Sequence, residues 1–299
     1  MDEKLPKHPR DSVVVTGVGL ELPAALRPWL ACDMPAACLD GDALAHDADP
    51  LPFLKSRKTM KFMSKQDRLA MCAAAQAVNG AALPAELLDM DTMIAMCVGP
   101  IPFAESDAMA VAAHAHANDE FSMQQFCGEA YERVNPLLLF ACLPNMPAYH
   151  VSANLAIHGG YYLTYPSCVE SYTALQSAVD ALAEGKAKAV LYGGVADQQN
   201  FLVRNHHRKT GQLLPAPDVA CFLVLETRSH ALARGATILA RLCASRVTNP
   251  CDGDLATTTY HFGPAELPLA VAQLISREAP TVTHRLPGAS YCFESDWST

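Results

Sequence analysis

Cys168 stands in the stretch YPSCVES (165–171), behind Pro166 and ahead of a chain whose apolar residues recur at intervals of three and four: Val169, Tyr172, Leu175, Val179 and Leu182. That spacing predicts an amphipathic helix with Cys168 at or just before its N-terminus. A helix N-terminus offers about half a positive charge and unpaired N–H groups. Both favour a thiolate, whose formation otherwise waits for the free-thiol pKa of about 8.5. A thiolate so placed could attack a thioester, with its own N–H donating to the developing oxyanion. The same position also suits a small, buried, inert cysteine, and the residues alone leave both roles open. Glu170, two residues on, would raise the thiol pKa if turned toward it. His114 and His116 are two apart in an Ala-rich, helix-like segment. They would not share a helix face, so no metal site is expected there.

The elements that must hold Cys168 alternate along the chain. Val13–Val18 is a β-branched run closing in Gly-Val-Gly, and 93–98 (MIAMCV) is a second buried run. A helical pattern runs from Lys65 to Asn79-Gly80, where a C-cap is expected. YYLTYPSC reads as a strand running into the cysteine, and Ala189–Tyr192 as a short strand before a double glycine. Residues 196–218 are polar and read as a loop, and 219–226 (VACFLVLE) is the clearest strand. A short helix, RSHALARG, follows, then a strand over 237–243, a helix over PAELPLAVAQLISRE and a terminal β-like piece, ASYCFESD. Strands that are apolar throughout, alternating with helices, predict an α/β fold with a covered sheet.

The chain has 299 residues, a formal charge of −9, 51% hydrophobic and 18% charged residues. That is a globular composition with room for a full core. The negative balance argues against nucleic acid or an anionic membrane surface as partner. One local exception is the basic run Lys55, Arg57, Lys58, Lys61, Lys65 and Arg68, either a docking patch for an acidic protein or a solvated helix face. The eleven cysteines include no CxxC pair. The opening MDEKLPKHPRDS has no apolar h-region, and no apolar run reaches the roughly 20 residues that span a bilayer. A cytoplasmic protein with free thiols is expected, with no metal.

Taken in order, these segments resemble the β-ketoacyl-(acyl-carrier-protein) synthases, the ketosynthases of thiolase fold. VVVTGVGL resembles their opening strand and turn, and MKFMSKQDRLAMCAAAQAV their helix after an Arg-Met-Asp-type start. LPNMPAYHVSANLAIHGG resembles the Leu-Pro-Asn-Met segment ahead of the active site. YPSCVES stands where the family has its nucleophile, LYGGVAD where it has a Gly-Gly strand end, and FLVLETRSHALARGATILA where it has a later strand and its sequel. The resemblance spans residues 12 to about 245. It implies one thiolase-fold domain over 1–299, built of two βαβ-rich halves related by a pseudo-twofold. The first half is 12–200 and the second, 201–299, is truncated.

The resemblance also implies the site. Cys168 takes the nucleophile position. Of the family's two histidines, the one in a His-Gly-Thr-Gly-Thr stretch has no counterpart, and the other corresponds to His261 in YHFGPAEL. The family's glycine-rich turn, which serves the oxyanion and substrate, corresponds to LPGAS around Gly288. His206-His207 or His284 could replace the missing histidine. Val169, Glu170 and Ser171 stand where the family has small residues. No cofactor is implied. The implied partners are an acyl carrier protein and a twofold mate, a second copy or a ketosynthase, with 145–164 pairing across the twofold as an edge strand. Two roles follow. One is a non-elongating partner like the chain-length factors of polyketide systems. The other is a compact synthase or acyltransferase using Cys168 with His261.

Overall fold

The structure is a computed structural model that describes residues 11–31, 41–100, 103–133, 136–212, 214–248, 260–287 and 292–299. Its principal strands are β1 (Val13–Glu21), β2 (Thr92–Val98), β3 (Tyr161–Thr164), β4 (Ala189–Ala196), β5 (Val219–Thr227), β6 (Ala240–Thr248), β7 (Thr281–Pro287) and β8 (Cys292–Ser298). They form one eight-stranded sheet in the order β3-β2-β4-β5-β1-β6-β8-β7. β2 runs parallel to both β3 and β4, and every other pairing is antiparallel. The principal helices are α1 (Lys65–Gly80), α2 (Glu105–His114), α3 (Met146–Leu155), α4 (Glu170–Ala183), α5 (Phe201–Thr210), α6 (Arg228–Ala233) and α7 (Glu266–Ser276).

The central strands β4 and β5 are buried along almost their whole length, as continuous apolar runs require. Their side chains alternate between two cores. One lies under α1 and α3 and takes Leu191, Phe222 and Val224. The other lies under α4 and α7 and takes Val190, Leu223 and Leu225. Each such fully buried side chain contributes about 1.5–3 kcal/mol of transfer free energy. α1 begins at a reciprocal cap: Asp67 N–H donates to Ser64 Oγ (3.2 Å), and Ser64 N–H donates to Asp67 Oδ2 (2.7 Å). Its alanine-rich face lies directly on β1, where a Cβ on Gly19 would stand 1.9 Å from the Ala73 carbonyl oxygen.

The expected α/β, thiolase-like architecture with a shortened second half is present. Beyond β5 the described chain adds only β6, β7, β8, α6 and α7 to the sheet and its covering. The inner face of β6, β8 and β7 supplies Leu242, Phe293, Trp297 and Val282 to the α4–α7 core. The outer face carries a charge ladder instead of apolar side chains: Arg246 pairs with Glu294 and with Asp296 (2.9 Å), and Arg285 pairs with Glu294. A polar outer face needs no further layer over it.

Four local readings change. Residues 201–210, read as loop, form α5. The Asn200 side chain accepts the Leu202 N–H at its start, Gly211 closes it with φ +74°, and only Val203 is buried, so the helix has almost no apolar stripe to read. The strand placed at 237–243 begins at Ala240 and runs on to Thr248. β7 was not anticipated; its TVTHRLP sequence is polar on the outer side of an edge position. The expected edge strand 145–164 is helical over Met146–Leu155 and extended only at Tyr161–Thr164. No helix among the described residues is long and apolar enough to cross a membrane.

Candidate functional site

Cys168 lies in the turn that leads from β3 into α4. The carbonyls of Ser167, Cys168 and Val169 accept the N–H groups of Glu170, Ser171 and Tyr172 at 3.2, 3.2 and 3.1 Å. Ser171 Oγ also donates to the Cys168 carbonyl (2.6 Å). The turn is tied to its neighbours on both sides. Cys97 Sγ, near the end of β2, donates to the Ser167 carbonyl (3.3 Å), and Thr164 Oγ1 donates to the Glu170 carbonyl (3.0 Å). The strand–turn–helix placement is as the sequence predicts.

The electrostatics run opposite to the expectation of a stabilised thiolate. Burial, and next the Glu266 carboxylate, push the Cys168 thiol up to about 11, against the backbone N–H groups of Val169 and of Cys168 itself. Glu170 is not the carboxylate responsible; its charge acts on Cys97, whose thiol burial raises to about 12. Glu266 stands in the first turn of α7. The turn before it, Gly263–Ala265, closes onto the end of β4 because Gly194 has no side chain: a Cβ there would stand 2.1 Å from the Pro264 carbonyl oxygen. Burial raises the Glu266 carboxyl to about 7.

One turn after Cys168, Tyr172 leads to a buried polar chain. Its hydroxyl lies 3.0 Å from His284 Nδ1 and 2.8 Å from the His284 carbonyl, and 3.3 Å from Ser295 Oγ, to which Trp297 Nε1 donates (3.0 Å). The Tyr172 and His284 rings stack with centroids 6.0 Å apart. Burial lowers His284 to about 4 and raises Tyr172. His284, one of the proposed substitute histidines, is thus joined through Tyr172 to the helix that follows Cys168.

His261 stands just before the turn that leads into α7. Its N–H donates to the Pro215 carbonyl (2.9 Å), and its own carbonyl accepts from Gln198 Nε2 (2.6 Å). Its ring meets His207 edge-on, with centroids 5.3 Å apart at 79°. Burial first, and His207 second, lower it to about 4. His206 and His207 are on α5, not in a loop, and it is His207 that His261 contacts. Among the described residues no histidine hydrogen-bonds Cys168. Gly288 lies outside the described residues. Nothing in the sequence marks Glu266: a carboxylate at the first position of an apolar helix reads as a routine helix start.

The basic run divides. Lys65 pairs with Asp197 (2.6 Å) and Asp218 (2.8 Å), and Arg68 with Asp47 (2.6 Å), while Lys55, Arg57, Lys58 and Lys61 remain exposed. Lys58 stands at the rim of a cavity of about 500 Å³ walled by Phe62, Phe140, Leu143, Met146 and Tyr149. A second cavity of about 240 Å³, between α3 and the edge strand β3, shares Asn145 and Tyr149 with it. Phe140, Leu143, Tyr149 and Tyr161 on this face are 50%, 47%, 57% and 71% exposed, a concentration of apolar surface uncommon on a monomer.

Residues 35–215, more than half of the chain, match the β-ketoacyl synthase N-terminal domain. The chain belongs to the β-ketoacyl synthase family. Solved structures of similar fold include a type II PKS acyl-carrier protein in complex with its ketosynthase, AntDE:AntF, at 17% identity over 97% of this chain and 99% of that one, with a TM-score of 0.74. The ishigamide ketosynthase/chain length factor matches at 19% identity over 80% of this chain and 64% of that one, TM-score 0.61. The ketosynthase from module 6 of the bacillaene synthase of Bacillus subtilis 168 matches at 16% identity over 83% and 45%, TM-score 0.54. Comparison with curated protein sequences finds no match.

Proposed function

We propose that this β-ketoacyl synthase family member is a chain-length-factor-like partner of an active ketosynthase, working on carrier-protein-bound chains in polyketide or fatty-acid biosynthesis. The observation that carries the reading is the company Cys168 keeps: a carboxyl from α7 and no hydrogen-bonded histidine among the described residues. A ketosynthase nucleophile must lose its proton to attack a thioester, and a thiol pushed up to about 11 is almost wholly protonated near neutral pH. The apolar face of α3 and β3, with its two cavities, supports pairing with a second subunit, whose chain those cavities could meet. The exposed Arg57, Lys58 and Lys61 beside it suit an acidic carrier protein.

The test is twofold. Incubated with an acyl-carrier-protein thioester, the chain alone is expected to show no acyl adduct by intact mass. Co-expressed with the ketosynthase it serves, it is expected to co-purify and to change product length when the cavity lining is altered. An acyl adduct on Cys168 of the isolated chain would favour instead the compact acyltransferase using Cys168 and His261.

A further inference from the structure

We infer that the cavity between the turn Arg57–Phe62 and α3 is a binding site for an uncharged apolar molecule carrying a hydroxyl group, and that His150 is the residue that meets the hydroxyl. Cys168 takes no part in the lining, so the inference holds whichever role Cys168 plays.

Three short elements build the cavity. Arg57–Phe62 is a single 3-10 turn capped by Ser56, whose Oγ accepts the Lys58 N–H (3.3 Å). The short helix Leu138–Cys142 faces it, and Phe140 meets Phe62 edge-on, with ring centroids 6.3 Å apart at 80°. α3 supplies Met146, Tyr149 and His150. The resulting space of about 500 Å³ lies within the usual range of small-molecule sites.

His150 is the polar group in this lining that packing does not explain. It is 1% exposed, yet neither ring nitrogen makes a hydrogen bond of ordinary geometry among the described residues. Burial, against a weaker pull from the Phe62 backbone, lowers its pKa to about 4, so the ring is neutral near pH 7. A neutral imidazole offers one N–H donor and one acceptor nitrogen, and leaving both unmet inside the protein is unfavourable. Beside it, Asp67 Oδ2 takes the Ser64 N–H (2.7 Å) and Ser64 Oγ (2.9 Å), and lies 4.0 Å from His150 Nε2, beyond hydrogen-bond reach. Asp67 Oδ1 is also unpartnered. A side chain needed only for packing would be better apolar.

The surroundings select the chemistry of the occupant. Phe62, Phe140, Leu143, Met146 and Tyr149 favour an apolar body, and their aromatic and thioether surfaces suit a ring. A hydroxyl donates through its hydrogen or accepts through its oxygen, so it suits either tautomer of His150. A carboxylate in its place would be repelled by Asp67, which burial raises to about 7 and which is an anion above that pH. A cation would have to pass the exposed Lys58 at the rim.

The experiment titrates the full chain with 2-naphthol, naphthalene and 2-naphthoate, followed by calorimetry. 2-Naphthol is expected to saturate one site, naphthalene to bind about tenfold more weakly, the factor one hydrogen bond gives, and 2-naphthoate not to compete. His150→Phe should erase the difference between 2-naphthol and naphthalene. His150→Gln, which can still donate and accept, should keep it. Leu143→Trp fills the cavity from an exposed position and should abolish binding of both without lowering Tm. If neither His150 variant folds, the 2-naphthol to naphthalene ratio in the unaltered chain, with its loss in Leu143→Trp, decides the matter. Absence of saturable 2-naphthol binding overturns the inference. So do equal affinities for 2-naphthol and naphthalene, a preference for 2-naphthoate, or a His150→Phe variant that still discriminates.

Discussion

Gly194→Ala tests the contact that brings α7 to the cysteine. The added Cβ would lie 2.1 Å from the Pro264 carbonyl oxygen, 2.4 Å from its carbon and 2.8 Å from the Ala265 nitrogen. All three are backbone atoms, so no side chain can rotate away. The 263–265 turn must retreat from β4 by more than about 1 Å to reach ordinary contact. Overpacking of this kind costs about 1–3 kcal/mol, and a backbone collision belongs at the upper end. For a chain of this size the cost corresponds to a fall in Tm of roughly 2–4 °C per kcal/mol. Gly128→Ala is the control: its Cβ would meet nothing within 4 Å, so a change within about 0.5 kcal/mol is expected. Thermal and urea melts measure the loss. Alkylation of Cys168 at pH 8 provides a second readout, because a retreating turn carries Glu266 away from the thiol and should speed labelling. A Gly194→Ala variant that melts and labels like the parent would refute the argument that this contact positions α7.

Three further outcomes are expected. Lys65→Met leaves the buried carboxyls of Asp197 and Asp218 unpaired and should cost about 3–5 kcal/mol. Burial already raises Asp197 to about 6, and a carboxyl with a raised folded pKa loses stability as pH rises through it, so the loss should be larger at pH 8 than at pH 4.5; equal losses in urea melts would contradict this. His284, lowered to about 4 from an unfolded value of about 6.5, contributes stability above pH 6.5 that is lost as pH falls toward 4, so His284→Phe should narrow the difference between melts at pH 7.5 and pH 5. Leu143→Arg with Tyr161→Arg places charge on the apolar face and should abolish a dimer or ketosynthase complex seen by light scattering without lowering Tm, whereas an unchanged mass would remove that face as the contact.

Much of the frame was legible because it rests on local, repetitive signals. The apolar runs of β1, β2, β4 and β5 and the periodic faces of α1 and α4 are readable since burial on one or both sides dictates each residue. The position of Cys168 before α4 followed from the same logic. α5 was missed because a helix that buries one residue has little stripe to detect; only Asn200 and Gly211, its caps, marked its ends. The charge environment of Cys168 was not legible at all. It depends on a carboxyl nearly a hundred positions away, brought in by a helix whose start is fixed by a glycine on another strand. Glu170, adjacent in sequence, was the natural suspect, yet in the turn geometry its charge falls on Cys97.

Decarboxylation of a malonyl thioester places negative charge on an enolate oxygen, which needs donors that stay neutral or positive as the charge grows. Around Cys168 the described donors toward negative charge are the backbone N–H groups of Cys168 and Val169. The Glu266 carboxyl, raised to about 7 by burial, disfavours negative charge on the Cys168 sulfur once it is ionised. The His261 ring makes an edge-on contact with His207 of α5. By contrast, the face formed by α3 and β3 is apolar: among the described residues β3 is a sheet edge, and Phe140, Leu143 and Tyr149 wall a cavity of about 500 Å³ beside α3. An edge strand beside exposed aromatic side chains is an aggregation risk unless covered. Under the partner reading proposed above, covering this edge is what a second subunit would do, and a buried Cys168 thiol that holds its proton fits a cysteine that carries no chain.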